Sequence, residues 1–132
     1  MNTKTEQKLL KYLKSTEWSV RERAAKHPNA TLEVLLLAMK DNDGSVRRGA
    51  ARNPNATPEI LMVAMRDEHG GVRRRAAENP KIKSLNLSTD KWLELVAGGF
   101  FEGNLKNVPP HVKKDPRYKS SRLLSQLAKV AS

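Results

Sequence analysis

Cysteine is absent from this 132-residue chain, which excludes a disulfide framework, a thiolate zinc site and a cysteine-held iron–sulfur cluster. Aromatic residues are scarce, at 5%, so a core has to be built from Leu, Val, Met and Ala. No run approaches the roughly 18 apolar residues of a membrane span. The start, with Lys4, Lys8, Lys11 and Lys14, lacks the apolar segment of a signal peptide. A cytoplasmic protein that does not enter the membrane is therefore expected. The three histidines, His27, His69 and His111, lie in turns or before prolines without metal-ligand spacing or a matched nucleophile. Gly44, Gly70 and Gly71 read as turn residues, not as a phosphate-cradling loop. No catalytic set, metal site or cofactor site emerges, and a non-enzymatic protein is expected.

What the chain does have is one phrase repeated without slippage. Val20 to Ser45 reads VRERAAKHPNATLEVLLLAMKDNDGS and Val46 to Gly71 reads VRRGAARNPNATPEILMVAMRDEHGG, while Val72 to Pro80 opens a third copy, VRRRAAENP. Val20, Val46 and Val72 are 26 residues apart, as are Pro28, Pro54 and Pro80. A period in this range marks units that bury their apolar faces only by stacking on one another. The expected fold is all-α, an α-solenoid of short helix pairs with a 26-residue repeat, forming a single domain.

Each unit predicts two helices. The first starts at Thr31 or Thr57, an N-cap hydroxyl, with Glu33 or Glu59 in the first turn where the helix dipole favours an acid. Pro58 suits the first helical position, where an amide would be unpaired anyway. Val34 to Met39 and Ile60 to Met65 are apolar on nearly every side, which predicts helices enclosed by neighbours. Asp41 to Gly44 and Asp67 to Gly70 turn the chain into a second helix of about two turns. That helix stops at His27, Asn53 or Asn79, because the residue before a proline is pushed out of helical geometry. Val46 and Ala50 share its buried side with small Gly49 and Asn53 beside them, and Arg48 and Arg52 point away.

Residues 1–19 predict an N-terminal capping helix, with Thr3 and Glu6 as a capping box and Leu9, Leu10 and Leu13 in the register of Leu35, Leu36 and Met39. Residues 20–80 are the clear repeats. Residues 81–107 read as a degenerate repeat with insertions: Thr89 to Leu93 matches Thr57 to Leu61 after six inserted residues, which puts Trp92 on the core position of Ile60. Residues 108–132 read as a basic, degenerate closing repeat. There Val108 to Pro116 matches Val46 to Pro54, and Leu123, Leu124 and Leu127 predict a last helix packed through these leucines. Trp18 is expected to plug the open end of the stack. Phe100 and Phe101, beside Gly98 and Gly99, leave open an exposed contact for a partner or a turn packed onto the last layer.

The phrase VRRGAARNPNATPEIL, followed by Asp67 and Val72, resembles the leucine-rich repeat variant family and, more loosely, HEAT-like repeats. The match is strong over Val20 to Pro80 and weak over Val108 to Leu127. The resemblance implies a right-handed superhelix whose second helices line the inner face. It also implies a structural ladder of turn aspartates and following arginines, Asp41 with Arg47 and Asp67 with Arg73, in which Arg21 meets Ser15 in place of an acid. The period is slightly longer than usual for the family, and the cysteine cluster of some members is missing.

The net charge is +11, which favours anionic partners. Its surplus is densest in residues 104–132, with seven cations and one anion. On the second helices the outward positions are Glu22 and Lys26, Arg48 and Arg52, then Arg74 and Glu78, with Arg23 and Arg75 nearer the edge. The expected anion-binding patch is Arg23, Lys26, Arg48, Arg52, Arg74 and Arg75. Lys113 and Lys114 align with Ala51 and Arg52 and prolong this face, with Arg117, Lys119 and Arg122 leading into the last helix and Lys106, His111 and Lys129 nearby. The expected function is a binding module for an anionic partner, with nucleic acid, DNA or RNA, ahead of an acidic protein. A DNA-repair glycosylase built on HEAT-like repeats is the more distant alternative, and its aromatic and acidic pocket cannot be assigned here. The oligomeric state is not encoded legibly; a monomer is expected.

Overall fold

A computed structural model describes residues 3–131, with side chains described through Leu127; Lys129 of the basic cluster falls outside that set. All regular structure among the described residues is helical, without a strand. The helices are α1 (Lys4–Tyr12), α2 (Trp18–Lys26), α3 (Leu32–Ala38), α4 (Gly44–Ala51), α5 (Pro58–Ala64), α6 (Gly70–Glu78), α7 (Thr89–Ala97), α8 (Pro110–Lys113) and α9 (Tyr118–Ala131). Short 3-10 turns occupy Pro80–Ser84 and Leu105–Asn107. No helix among the described residues is long and apolar enough to cross a membrane.

The helix starts follow local chemistry. The hydroxyls of Thr31 and Thr57 accept the amides of Val34 and Ile60, and Pro58 stands at the first position of α5. At α7 the cap is Ser88, which accepts the Lys91 amide, so the cap lies one residue before the Thr89 that aligns with Thr57. Thr3 caps α1 by accepting the Glu6 amide. The Glu6 carboxylate, however, does not reach back to complete the box. It is buried and accepts the Thr31 hydroxyl at 2.8 Å, which ties α1 to the start of α3.

Helices α2, α4 and α6 stack in sequence, and α3 and α5 each pack against the second helix before and after them. The stack is tight because its seam is alanine: Ala24, Ala25, Ala50, Ala51, Ala76 and Ala77 are fully enclosed. Gly49 belongs to the same seam, since a Cβ there would meet the Lys26 Cγ at 3.0 Å and the Ala25 Cβ at 3.3 Å. Val34, Leu35, Val46, Ile60, Leu61 and Val72 complete a fully buried core.

Two expectations about burial fail. Helices α3 and α5 are covered on one face only, leaving Leu36, Leu37, Met62 and Val63 exposed. Leu123, Leu124 and Leu127 are also exposed, at 59%, 55% and 64%. Helix α9 instead packs against α7 through a face carrying Ser121 and Ser125, which are buried, and Tyr118, which is partly so. Positions 118, 121 and 125 share one side of a helix, and the leucines lie on another. Trp92 is buried as expected and Trp18 is half exposed. Phe101 is buried against Trp92, with ring centroids 5.9 Å apart, and Phe100 meets it edge-on at 4.9 Å. The turn around Gly99 (φ 84°) and Gly103 (φ 81°) thus packs back onto the last layer, and both glycines occupy the left-handed region that other residues avoid.

A ladder of asparagine amides joins the layers. Asn53 Nδ2 donates to the carbonyls of Ala25 (2.8 Å) and His27 (2.9 Å). One period on, Asn79 Nδ2 donates to Ala51 (3.1 Å) and Asn53 (3.2 Å). Each Oδ1 accepts the amide two residues ahead and shapes the turn after the helix. In the expected register Asp115 stands at the next rung and makes the same local turn, accepting the Arg117 amide. A carboxylate, however, has no N–H to offer a carbonyl. Asn107 supplies that donor, to Ala77 O at 2.8 Å. Asn53 is 1% exposed, so removing its amide strands buried carbonyls at a cost of about 1–3 kcal/mol. Asn53→Ala and Asn53→Asp are both expected to lower stability by that amount in urea unfolding with an unchanged m-value; an unaffected midpoint would show that the rung carries no stability.

Candidate anion-binding face

The arginines after each repeat valine divide into two sets. In the first set, Arg21 Nε and Nη2 donate to the Asp41 carboxylate at 2.8 and 3.4 Å, and Arg47 Nε and Nη2 donate to Asp67 at 2.8 and 3.2 Å. Their Nη1 groups donate to the carbonyls of Ser15 (2.8 Å) and Asp41 (2.7 Å). Each guanidinium therefore clasps the turn before its own helix and reaches forward to the next turn's carboxylate. The pairing differs from the one the resemblance implies. The carboxylate partner of Arg47 is Asp67, not Asp41, and Arg21 joins the ladder through Asp41 although Ser15 lacks an acid. Arg73 has the carbonyl half only, donating from Nη1 to Asp67 O at 2.6 Å.

This pairing shifts both groups. The forked bond that Arg47 donates to Asp67 raises Arg47 against the opposing effect of burial. Burial pushes the Asp67 carboxyl up, but the Arg47 fork and the His69 amide outweigh it and hold the group below its ordinary value.

The second set faces outward. Arg48 on α4 and Arg74 on α6 stand one period apart, and Arg52 lies one turn beyond Arg48. Arg52 and Arg74 are exposed and Arg48 is half-buried, and none of the three forms an ion pair or side-chain hydrogen bond with another described residue. Lys26 comes only within 3.9 Å of Glu22, and its stem lies over Gly49 of α4. Arg23 is exposed but sits toward α1, beside Leu9, Tyr12 and His27. Arg75 pairs with Glu78 at 2.7 Å, and the two line a shallow groove of about 290 Å³ with Arg52 and Lys81. The expected patch therefore contains Lys26, Arg48, Arg52 and Arg74 on successive stacked helices, with Arg23 at its margin and Arg75 partly neutralised.

The C-terminal cluster is arranged differently. Lys113 and Lys114 are exposed, but α8 makes its main contact with α7, so α7 positions them and the α2–α4–α6 stack does not. Arg117 is a tie rather than a free cation. Its Nη1 donates to Asp90 at 2.6 Å, and Nε and Nη2 each donate to Asp115 at 3.0 Å. These bonds hold Asp115 down to about 2 and raise Arg117 above its ordinary value. Lys106, His111 and Lys119 are exposed, whereas Arg122 is half-buried with its Nε enclosed and without a partner among the described residues. Tyr118 is partly buried and packs against the core.

Comparisons with protein-family models, with curated proteins and with solved structures returned no match. Arguments about function therefore rest on the geometry above. Sequence reasoning missed the asparagine rungs, although an Asn–Pro pair recurring at Asn53 and Asn79 was the available signal. It also missed that Arg73 ends its ladder, a fact signalled by the lack of an acid one period after Asp67.

The Arg47–Asp67 fork makes stability depend on pH. The folded value of Asp67 lies below the unfolded one of about 3.9, so its stabilisation is complete above that pH and is lost as pH falls through the folded value. Asp67→Asn leaves a largely buried guanidinium without its counter-charge, at an expected cost of about 2–4 kcal/mol at neutral pH. In urea titrations the gap between wild type and variant is expected to narrow below about pH 4; a gap that stays constant down to pH 3 would refute this assignment.

Proposed function

We propose that this chain is an α-solenoid binding module of the leucine-rich repeat variant or HEAT-like kind, which holds nucleic acid along the outward face of α2, α4 and α6 and carries out no reaction of its own. The observation that supports it is the division of labour among adjacent arginines. Arg47 is consumed in the ladder and Arg73 is held by its carbonyl half, while Arg48, Arg52 and Arg74 have no partner among the described residues. Packed helices lie about 8–10 Å apart, so long side chains from successive layers can reach neighbouring phosphates. Such contacts position a nucleic-acid backbone without reading bases. The scarcity of aromatic side chains on this face fits a backbone reader.

The cluster formed by Lys113, Lys114 and Lys119 supplies a second contact with the same polyanion, set by α7 and α9. Arg117 takes no part, because Asp90 and Asp115 already neutralise it.

Binding is expected to fall steeply with salt, since each neutralised phosphate releases counterions. Arg48→Ala combined with Arg52→Ala is expected to weaken retention of a DNA or RNA oligonucleotide and to reduce the slope of log K against log salt by about 2, roughly 0.9 per lost phosphate contact. Electrophoretic shift series across salt concentrations measure both. If wild type retains neither DNA nor RNA at about 50 mM salt, or the double variant leaves the slope unchanged, the proposal fails.

A further inference from the structure

The ladder of forked arginines stops one carboxylate short. Arg21 and Arg47 each grip an aspartate twenty residues ahead, Asp41 and Asp67. For Arg73 the same count falls on Leu93, which is buried in the core. Allowing for the six residues inserted after Pro80, it falls on Gly99, which has no side chain. The scaffold of the fork is nonetheless complete. Arg73 Nη1 is clamped to the Asp67 carbonyl at 2.6 Å, as Arg47 Nη1 is to the Asp41 carbonyl. Nε and Nη2 of Arg73, the edge that takes the carboxylate in the two earlier layers, have no partner among the described residues.

This edge belongs to a groove of about 450 Å³ between α6 and the turn after α7. One wall carries Arg73 and Arg74 and the other carries Gly98 and Gly99, with Met65, Leu95 and Phe100 lining the cavity between them. Where the earlier layers place an aspartate side chain, this layer leaves an opening of mixed polar and apolar lining beside the clamped Arg73 guanidinium. Glu94 and Glu102 also line it, but each is engaged, Glu94 by Lys91 at 3.4 Å and Glu102 by the Ser125 hydroxyl at 3.0 Å. We infer that the groove is a docking site for a single carboxylate, an aspartate or glutamate side chain on an otherwise apolar segment of a partner protein, which completes the Arg73 fork as Asp67 completes that of Arg47. The lining sets the size of the occupant: Glu94, Glu102 and the apolar side chains of Met65, Leu95 and Phe100 oppose each further negative charge of a polyanion, whereas a single carboxylate offsets that repulsion by its bidentate, charge-assisted pair with Arg73. The groove shares Arg74 with the proposed nucleic-acid row but not Arg48 or Arg52, and the Arg73 fork does not depend on that row's binding nucleic acid.

The test is an NMR titration of the full chain, following the arginine Nε–Hε resonances, with the acetylated and amidated tripeptide Leu-Asp-Phe and its Leu-Asn-Phe counterpart. The aspartate peptide is expected to move the Arg73 resonance saturably and to bind about tenfold or more tightly than the asparagine one, the weight of a charged hydrogen-bonded pair. Arg73→Gln is expected to abolish the difference between the peptides, while Arg48→Ala with Arg52→Ala is expected to leave it intact. The wild-type comparison needs no variant, so a folding defect in Arg73→Gln does not obscure the answer. Equal binding of the two peptides or a stationary Arg73 resonance would overturn the inference.

Discussion

The structure depends on how the ends of very short helices find hydrogen-bond partners. A helix leaves its first four amides and last four carbonyls without internal partners, so helices of seven to nine residues such as α2 to α6 have few groups that are satisfied internally. Burying such helices in layers requires donors and acceptors from the neighbouring layer. Two side chains meet the need at opposite ends of the second helices. An asparagine after α4 and another after α6 reach back to the carbonyls that close the previous second helix, Asn53 to Ala25 and Asn79 to Ala51. An arginine in the first turn reaches forward to the next carboxylate, Arg47 to Asp67. Each middle layer is pinned in both directions, and the alanine seam closes between the pins.

That arrangement also sorts the charge. In Arg47–Arg48 the two residues point about 100° apart on the helix. The first is drawn into the ladder, where a planar fork suits a carboxylate and a carbonyl together, and the second is left outside. The net charge of +11 therefore overstates what a partner meets. Arg21, Arg47 and Arg117 are spent on the protein's own carboxylates and Arg75 is shared with Glu78, whereas Lys26, Arg48, Arg52 and Arg74, with Arg23 at their margin, the open edge of Arg73 and the separate Lys113, Lys114 and Lys119 remain available.

The regular pattern gives way after Pro80, and the departures share a cause. Inserted residues replace the acidic turn with Gly98 and Gly99, and the packing is taken over by aromatic side chains, Trp92 against Phe101 with Phe100 edge-on. The arginine ladder has no carboxylate to run to, while the asparagine ladder survives only because Asn107 reaches Ala77. Helix α9 then settles on α7 by its serine face. Ser121 and Ser125 are small enough for close approach, and Ser125 also donates to Glu102.

The sequence by itself determined the helical class, the threonine caps, the turn aspartates and the buried Val46, Ala50 and Trp92, because these follow from period, capping chemistry and local backbone preference. Tertiary structure alone decided which carboxylate each arginine takes, since Arg47 has acids one turn behind and one turn ahead and spacing does not choose between them. It alone decided that Leu123, Leu124 and Leu127 face outward, because an apolar register says which residues share a helix face but not which face the neighbouring helix covers. It also decided that Arg117 is tied while Arg48 is not, for an ion pair between residues 27 apart exists only once α7 and the start of α9 lie together.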